Sequence, residues 1–145
     1  MFKLRDVTME NFDDIVGLKI KDSQEGFLSS NLLSIAESKV DDRLVPMGIY
    51  FKDDLVGFVL LEYHNDEKYV FLKRYMISDI HQGKGLGKSA LVYIIDYIKS
   101  KDKSIDFIEL MHYPENIAAK KLYGGLGFQL TGEIRQGETV RRMYY

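Results

Sequence analysis

The sequence predicts an α+β layer folded as a single domain over residues 1–145, and three observations carry that prediction. Apolar residues and β-formers fall in short strand-like runs through the first half of the chain, the spacing changes to three and four residues after Gly85, and a glycine-rich loop lies at the change. A chain of 145 residues is also long enough to bury one core without a metal or disulfide staple.

The elements follow in order. Phe2 to Val7 alternates as a strand does, and Thr8 is placed to cap a helix through Phe12, Ile15 and Val16. A second short helix is expected over Leu32 to Lys39. Val45 to Phe51 and Leu55 to Tyr63 are separated by Lys52-Asp53-Asp54, a polar break that suits a hairpin, and Tyr69 to Ile77 extends them into an antiparallel meander. Leu86, Ala90, Leu91, Ile94, Ile95 and Ile98 then mark one buried face of a helix. Ile105 to Met111 is a buried strand. Ala118, Ala119, Leu122, Tyr123 and Leu126 mark another helix closed by Gly127, and Thr139 to Tyr144 reads as a final strand. Strand, glycine loop, helix and strand in succession make a parallel crossover.

Composition narrows the function classes. There is no cysteine, which excludes a disulfide framework, thiol catalysis and thiolate zinc sites and suits a reducing cytoplasm. The amino terminus mixes charge with apolar residues, unlike a signal peptide, and no run approaches the roughly 20 apolar residues of a membrane span. A net charge of -2 and the lack of a basic stripe argue against nucleic acid as a partner. His64, His81 and His112 have no metal-ligand spacing, so no metal is expected.

The chemistry is sought in Ile77-Ser78-Asp79-Ile80-His81-Gln82-Gly83-Lys84-Gly85-Leu86-Gly87-Lys88. Glycines let a ligand approach the backbone, and the helix start supplies unpaired N–H groups at a positive dipole end, a combination that binds phosphate oxygens. A glycine cluster also serves turn geometry alone. The P-loop spacing is absent, and the alternate glycines at 83, 85 and 87 fit the dinucleotide fingerprint poorly.

Gln82-x-x-Gly85-x-Gly87 resembles the acetyl-CoA pyrophosphate motif of the GNAT N-acetyltransferases, between the fourth strand and third helix of that fold. Asn116-x-x-Ala119-x-x-Leu122-Tyr123-x-x-x-Gly127-Phe128 is similar to the family's second cofactor segment. The resemblance is tight from about Leu72 to Phe128. It departs at Asp79, where many family members carry proline.

That resemblance implies a mixed, mostly antiparallel sheet of six to seven strands with about four helices, whose fourth and fifth strands splay apart. It implies acetyl-CoA as cosubstrate and direct attack of an amine on the thioester. The cofactor would be held by Gln82, Gly83, Lys84, Gly85, Leu86, Gly87 and Lys88. Lys84 and Lys88 are equally readable as solvated helix-start charges. Met76 and Ile77 would offer backbone groups to the pantetheine arm, and Asn116 would either bond that arm or cap its helix. Tyr123 would be the general acid, because a phenol with a pKa of about 10 is protonated at neutral pH and can donate to the leaving sulfur. For the base, Glu37 and Glu62 are the leading candidates, with Glu109 and a water chain as alternatives.

For the acceptor, Phe27-x-Ser29-Ser30-Asn31-x-x-Ser34-x-Ala36-Glu37, Pro46-x-Gly48-Ile49-Tyr50 and Leu55-Val56-Gly57-Phe58 resemble bacterial spermine/spermidine or diamine acetyltransferases, as do Thr131-Gly132-Glu133 and Gly137-Glu138-Thr139-Val140. Asp13, Asp14, Asp22, Glu25, Glu37, Asp41 and Asp42 make the amino-terminal region acidic, as a polycation site would be, although solvated helix faces look the same. Other amines (an aminoglycoside, an amino acid, a protein amino terminus) and a non-catalytic CoA sensor are the competing readings. An exposed carboxy-terminal strand would offer an edge for a homodimer.

Overall fold

The computed structural model describes residues 1–20 and 29–145. In chain order these residues form β1 (Phe2–Asp6), α1 (Phe12–Val16), α2 (Asn31–Val40), β2 (Leu44–Phe51), β3 (Asp54–His64), β4 (Tyr69–Ile77), a 3-10 turn (Asp79–His81), α3 (Leu86–Lys101), β5 (Phe107–His112), α4 (Ile117–Gly125), β6 (Gln129–Arg135) and β7 (Glu138–Tyr144). The strands make one seven-stranded sheet in the order β1-β2-β3-β4-β5-β7-β6. Its neighbours are antiparallel except β4 and β5, which the α3 crossover makes parallel.

Three differences from the sequence reading concern the start of α1, the strand β6 and the β2–β3 hairpin. Thr8 does not cap α1. Asn11 stands there, and its side-chain oxygen instead accepts from the Thr8 N–H at 2.7 Å, closing a turn before the helix. The strand β6 has no periodic core face, because all but its last residue are exposed, so alternation of hydrophobicity does not reveal it. The hairpin of β2 and β3 is tighter than expected: Lys52 and Asp53 alone form the loop, both at positive φ, and Asp54 already pairs with Phe51.

The sheet is covered on both faces. On one, Ala90, Leu91, Ile94, Ile95 and Ile98 of α3 pack with Val59, Leu61, Val70, Leu72, Ile108 and Leu110. Burying such a Leu or Ile stabilises the fold by about 2 kcal/mol, which makes α3 the anchor that fixes the glycine loop above it. On the other face, Ile15, Leu44, Phe58, Leu60 and Met76 form a smaller core under α1 and α2.

β4 and β5 pair only from Tyr69–Leu72 against Phe107–Leu110. Beyond this point β4 continues to Ile77 along β3 alone, so the two parallel strands splay. The register explains where. Leu61 pairs with Leu72 but Leu60 with Arg74, so Lys73 is an extra residue in β4, and such a bulge bends and twists its strand. Gly57, opposite Ile77, then lets the end of β4 lean onto β3: a Cβ there would overlap the Met76 carbonyl oxygen.

Candidate active site

The splay opens a cleft that leads into two cavities. The first, of about 240 Å3, is lined by Tyr75, Met76 and Ile77 of β4, Gln82, Gly83 and Gly87 of the glycine loop, and the face of α4 that carries Asn116, Ala119 and Tyr123. The second, of about 230 Å3, runs from the same junction toward Arg74, His112, Tyr113 and Glu138. Tyr75, Asn116, Ala119 and Tyr123 border both. Asn116 and Tyr123 lie seven residues apart, two helical turns, so they present one face to the cleft.

The glycine loop is built to leave donors unsatisfied. Gly83 and Gly85 adopt positive φ (78° and 77°), and a Cβ on either would meet nothing within 4 Å, so both border open space. Gly85 is the N-cap of α3 and has no side chain to cap it, whereas Ser30 caps α2 and Asn116 caps α4 with side-chain oxygens. The first helical bond is Ser89 N–H to Gly85 O, so the N–H groups of Leu86, Gly87 and Lys88 have no intrahelical acceptor. An uncapped 16-residue helix with exposed glycines at its start fits a diphosphate. Gln82 takes a supporting part: its side-chain amide donates to the Ile77 carbonyl at 2.8 Å, and its N–H closes the 3-10 turn onto Asp79. The Tyr75 hydroxyl donates to the Gly87 carbonyl, tying β4 to the first turn of α3.

Asp79, the departure from the usual proline, has a structural account. Its N–H donates to Lys19 O at 2.7 Å, and its carboxylate accepts from the Ile80 N–H at 2.8 Å. Proline could make neither bond, so here hydrogen bonds replace ring stiffness.

Of the two β4 residues expected to offer peptide groups, Met76 and Ile77 differ. The Met76 carbonyl is directed at Gly57 on β3, and Ser78 N–H bonds Val56 O on that same side. Peptide groups alternate along a strand, so Tyr75 and Ile77 are the residues that turn theirs to the cleft, and Met76 contributes side-chain wall. Asn116, which borders both cavities, uses Oδ1 to cap α4 through the Ala119 N–H at 3.1 Å, and its amide nitrogen has no hydrogen-bond partner among the described residues. Lys84 and Lys88 flank the loop and line neither cavity.

Tyr123 is half-buried between the rings of Phe128 and His112, each with its centroid 6.1 Å away. Its burial pushes the phenol above its ordinary value, so it is a proton donor across the neutral range. His112 is not a base: its Nε2 accepts from Arg141 Nε at 2.9 Å, so its Nδ1 carries the hydrogen and donates to the Tyr113 carbonyl at 3.0 Å.

The carboxylates singled out as bases are all engaged. Glu37 pairs with Arg74 of β4, and Glu62 with His64 at 3.1 Å and Arg43 at 3.6 Å; neither lines a cavity. Glu109 is 1 % exposed and bridges Arg135 and Arg142 at 2.9 and 2.8 Å, a structural ion triad between β5, β6 and β7. In the acidic amino-terminal region Asp41 is likewise held by Arg43, whose hydrogen bonds bring its carboxyl down to about 2. Asp22, Glu25 and Phe27 lie outside the described residues. Among the described residues no group of three or more side chains could hold a metal, and no helix is long and apolar enough to cross a membrane.

Sequence reasoning gave no site role to Tyr75, and it met Glu138 only as part of the Gly137-Glu138-Thr139-Val140 resemblance. Tyr75 looks like any strand tyrosine, and Glu138 nears the site only because β7 inserts beside β5, ahead of β6.

Comparison with known proteins identifies the family. The Acetyltransferase (GNAT) family profile matches residues 12–128. The chain is 34% identical over 144 residues to the spermine/spermidine N(1)-acetyltransferase of Bacillus subtilis, covering 94% of each. Its fold matches the spermidine N-acetyltransferase from Vibrio cholerae in complex with CoA and spermine (TM-score 0.76, 21% identity, 99% of this chain and 94% of that one). It matches equally well the ribosomal-protein-S18-alanine N-acetyltransferase of Escherichia coli (TM-score 0.74, 16% identity, 99% and 94%). The chain therefore belongs to the acetyltransferase (GNAT) family and is an acetyl-CoA-dependent N-acetyltransferase.

Proposed function

We propose that the protein acetylates a primary amine of a polyamine such as spermine or spermidine. The fold cannot choose the acceptor, since polyamine and protein-amine acetyltransferases match it equally well. The choice rests on the Bacillus subtilis relative, which is similar over nearly the whole chain, acceptor region included. The observation that carries the reaction is the pair of cavities sharing Tyr75, Asn116, Ala119 and Tyr123: donor and acceptor can occupy separate cavities that meet at the phenol.

In this reading the first turn of α3 holds the diphosphate of acetyl-CoA, and the cleft peptides of Tyr75 and Ile77 receive the pantetheine arm. The thioester supplies the acetyl group. The amine nitrogen bonds to the acyl carbon as the carbon–sulfur bond breaks, Tyr123 gives its proton to the departing sulfur, and the amine's own proton leaves to solvent through the second cavity. The absence of cysteine from the sequence fits direct transfer, and a reducing cytoplasm fits the same composition.

The test is an acceptor panel with detection of free CoA: spermine, spermidine, putrescine, an aminoglycoside, free amino acids and an amino-terminal peptide. Polyamines should have the highest kcat/KM. A protein that turns over only another amine would remove the polyamine assignment, and one that binds CoA with no turnover on any amine would make it a sensor.

A further inference from the structure

Glu138 opens β7 immediately after the Gln136-Gly137 turn, whose two residues both take positive φ. The turn projects it into the second cavity, where it is half-buried. Among the described residues its carboxylate has no hydrogen-bond or ion-pair partner. Every carboxylate considered as the base is committed to a cation: Glu37 to Arg74, Glu62 to Arg43, Glu109 to Arg135 and Arg142. Neither cation bordering the same cavity pairs with Glu138. Arg74 donates to Ser34 as well as to Glu37, and among the described residues no ion pair joins Lys73 to Glu138.

A carboxylate taken partly out of water without a counter-charge is costly, and desolvation does raise the Glu138 carboxyl. An incoming cation would relieve that cost. Position decides which cation. The residues bordering both cavities mark where acyl donor and nucleophile must meet, and Glu138 borders only the second cavity, away from the glycine loop. It is placed for a charge carried at a distance from the reacting nitrogen.

We propose that Glu138 is the receptor for a non-reacting ammonium of the acceptor, so that the enzyme selects amines carrying a second positive charge along the chain. The proposal rests on the polyamine reading and deepens it. The reacting amine must be neutral to attack, and a second, charged nitrogen held by Glu138 would orient the chain without competing for Tyr123.

The experiment compares wild type, Glu138→Gln and Glu138→Asp on spermidine, on spermine and on butylamine, which has no second nitrogen. Expected for Glu138→Gln is a rise in polyamine KM of at least about tenfold, the usual consequence of removing one charge-assisted bond. The kcat at saturation, KM for butylamine and KM for acetyl-CoA should be unchanged, and Glu138→Asp should recover part of the loss. Equal KM changes for butylamine and spermidine would overturn the proposal, as would a polyamine KM that Glu138→Gln does not move while wild type is active on spermine. Wild type inactive on every polyamine would instead overturn the substrate reading, and the proposal with it.

Discussion

The Tyr75 hydroxyl donates to the carbonyl of Gly87, joining the free end of β4 to the first turn of α3. In the proposed function that one bond links the two halves of the donor site: the strand edge that would receive the pantetheine arm and the helix start that would hold the diphosphate. Tyr75 is buried and its phenol is raised, chiefly by desolvation and secondarily by Tyr123, so it acts as a fixed donor.

Tyr75→Phe should therefore keep the fold and loosen the loop. Expected are a loss of about 1 kcal/mol in stability and a several-fold rise in KM for acetyl-CoA with little change in kcat. Denaturant titration and steady-state kinetics measure both.

Tyr123→Phe should separate chemistry from binding. It removes the proposed acid and leaves the ring packing with Phe128, so kcat should fall on the order of 100-fold while calorimetry finds CoA affinity unchanged. The pH dependence has a definite sign. An ordinary phenol loses its proton near pH 10, and burial moves Tyr123 upward from there, so kcat should show no falling limb from this group as pH rises from about 7 to 10. A decline centred below pH 9 that vanishes in Tyr123→Phe would contradict the burial argument.

Gly57→Ala should close the splay. The new methyl would overlap the Met76 carbonyl and approach Ile77, forcing β4 away from β3 and into the cleft. Overpacking of this kind costs about 1–3 kcal/mol. A lower Tm should accompany weakened CoA binding, and a variant with wild-type CoA affinity would show that the lean of β4 is dispensable.

Glu109→Gln tests whether that carboxylate is structural. It would leave Arg135 and Arg142 without their shared anion. The arginines are partly exposed, 39% and 29% of their side chains, which lets water offset some of the loss. About 2 kcal/mol of destabilisation is expected, below the range for a fully buried pair. The kcat of the folded enzyme should be preserved; a loss of kcat without a loss of stability would return Glu109 to the chemistry.

Much of this protein was legible before folding was considered. The period of Ala90, Leu91, Ile94 and Ile98 defined α3, and the glycines at 83, 85 and 87 marked where a ligand could reach its uncapped start, because these properties depend on neighbours within a few residues. Asn116 and Tyr123 were likewise placed together by helical pitch alone. Partner choice among carboxylates was not legible. Glu37 meets Arg74 across 37 residues and Glu109 meets Arg142 across 33, and nothing local announces either pair.

What the amino-acid order determined by itself was every α-helix and β-strand except β6 and the position of the glycine loop at the start of α3, since these arise from short-range backbone geometry. Only the tertiary structure decided that β4 parts from β5 after Leu72, that Met76 turns its carbonyl to β3, and that Glu138 stands beside the cleft with no ion-pair partner among the described residues. Those outcomes depend on a one-residue bulge and on β7 entering the sheet next to β5, and strand register and order are set by long-range packing that no local window contains.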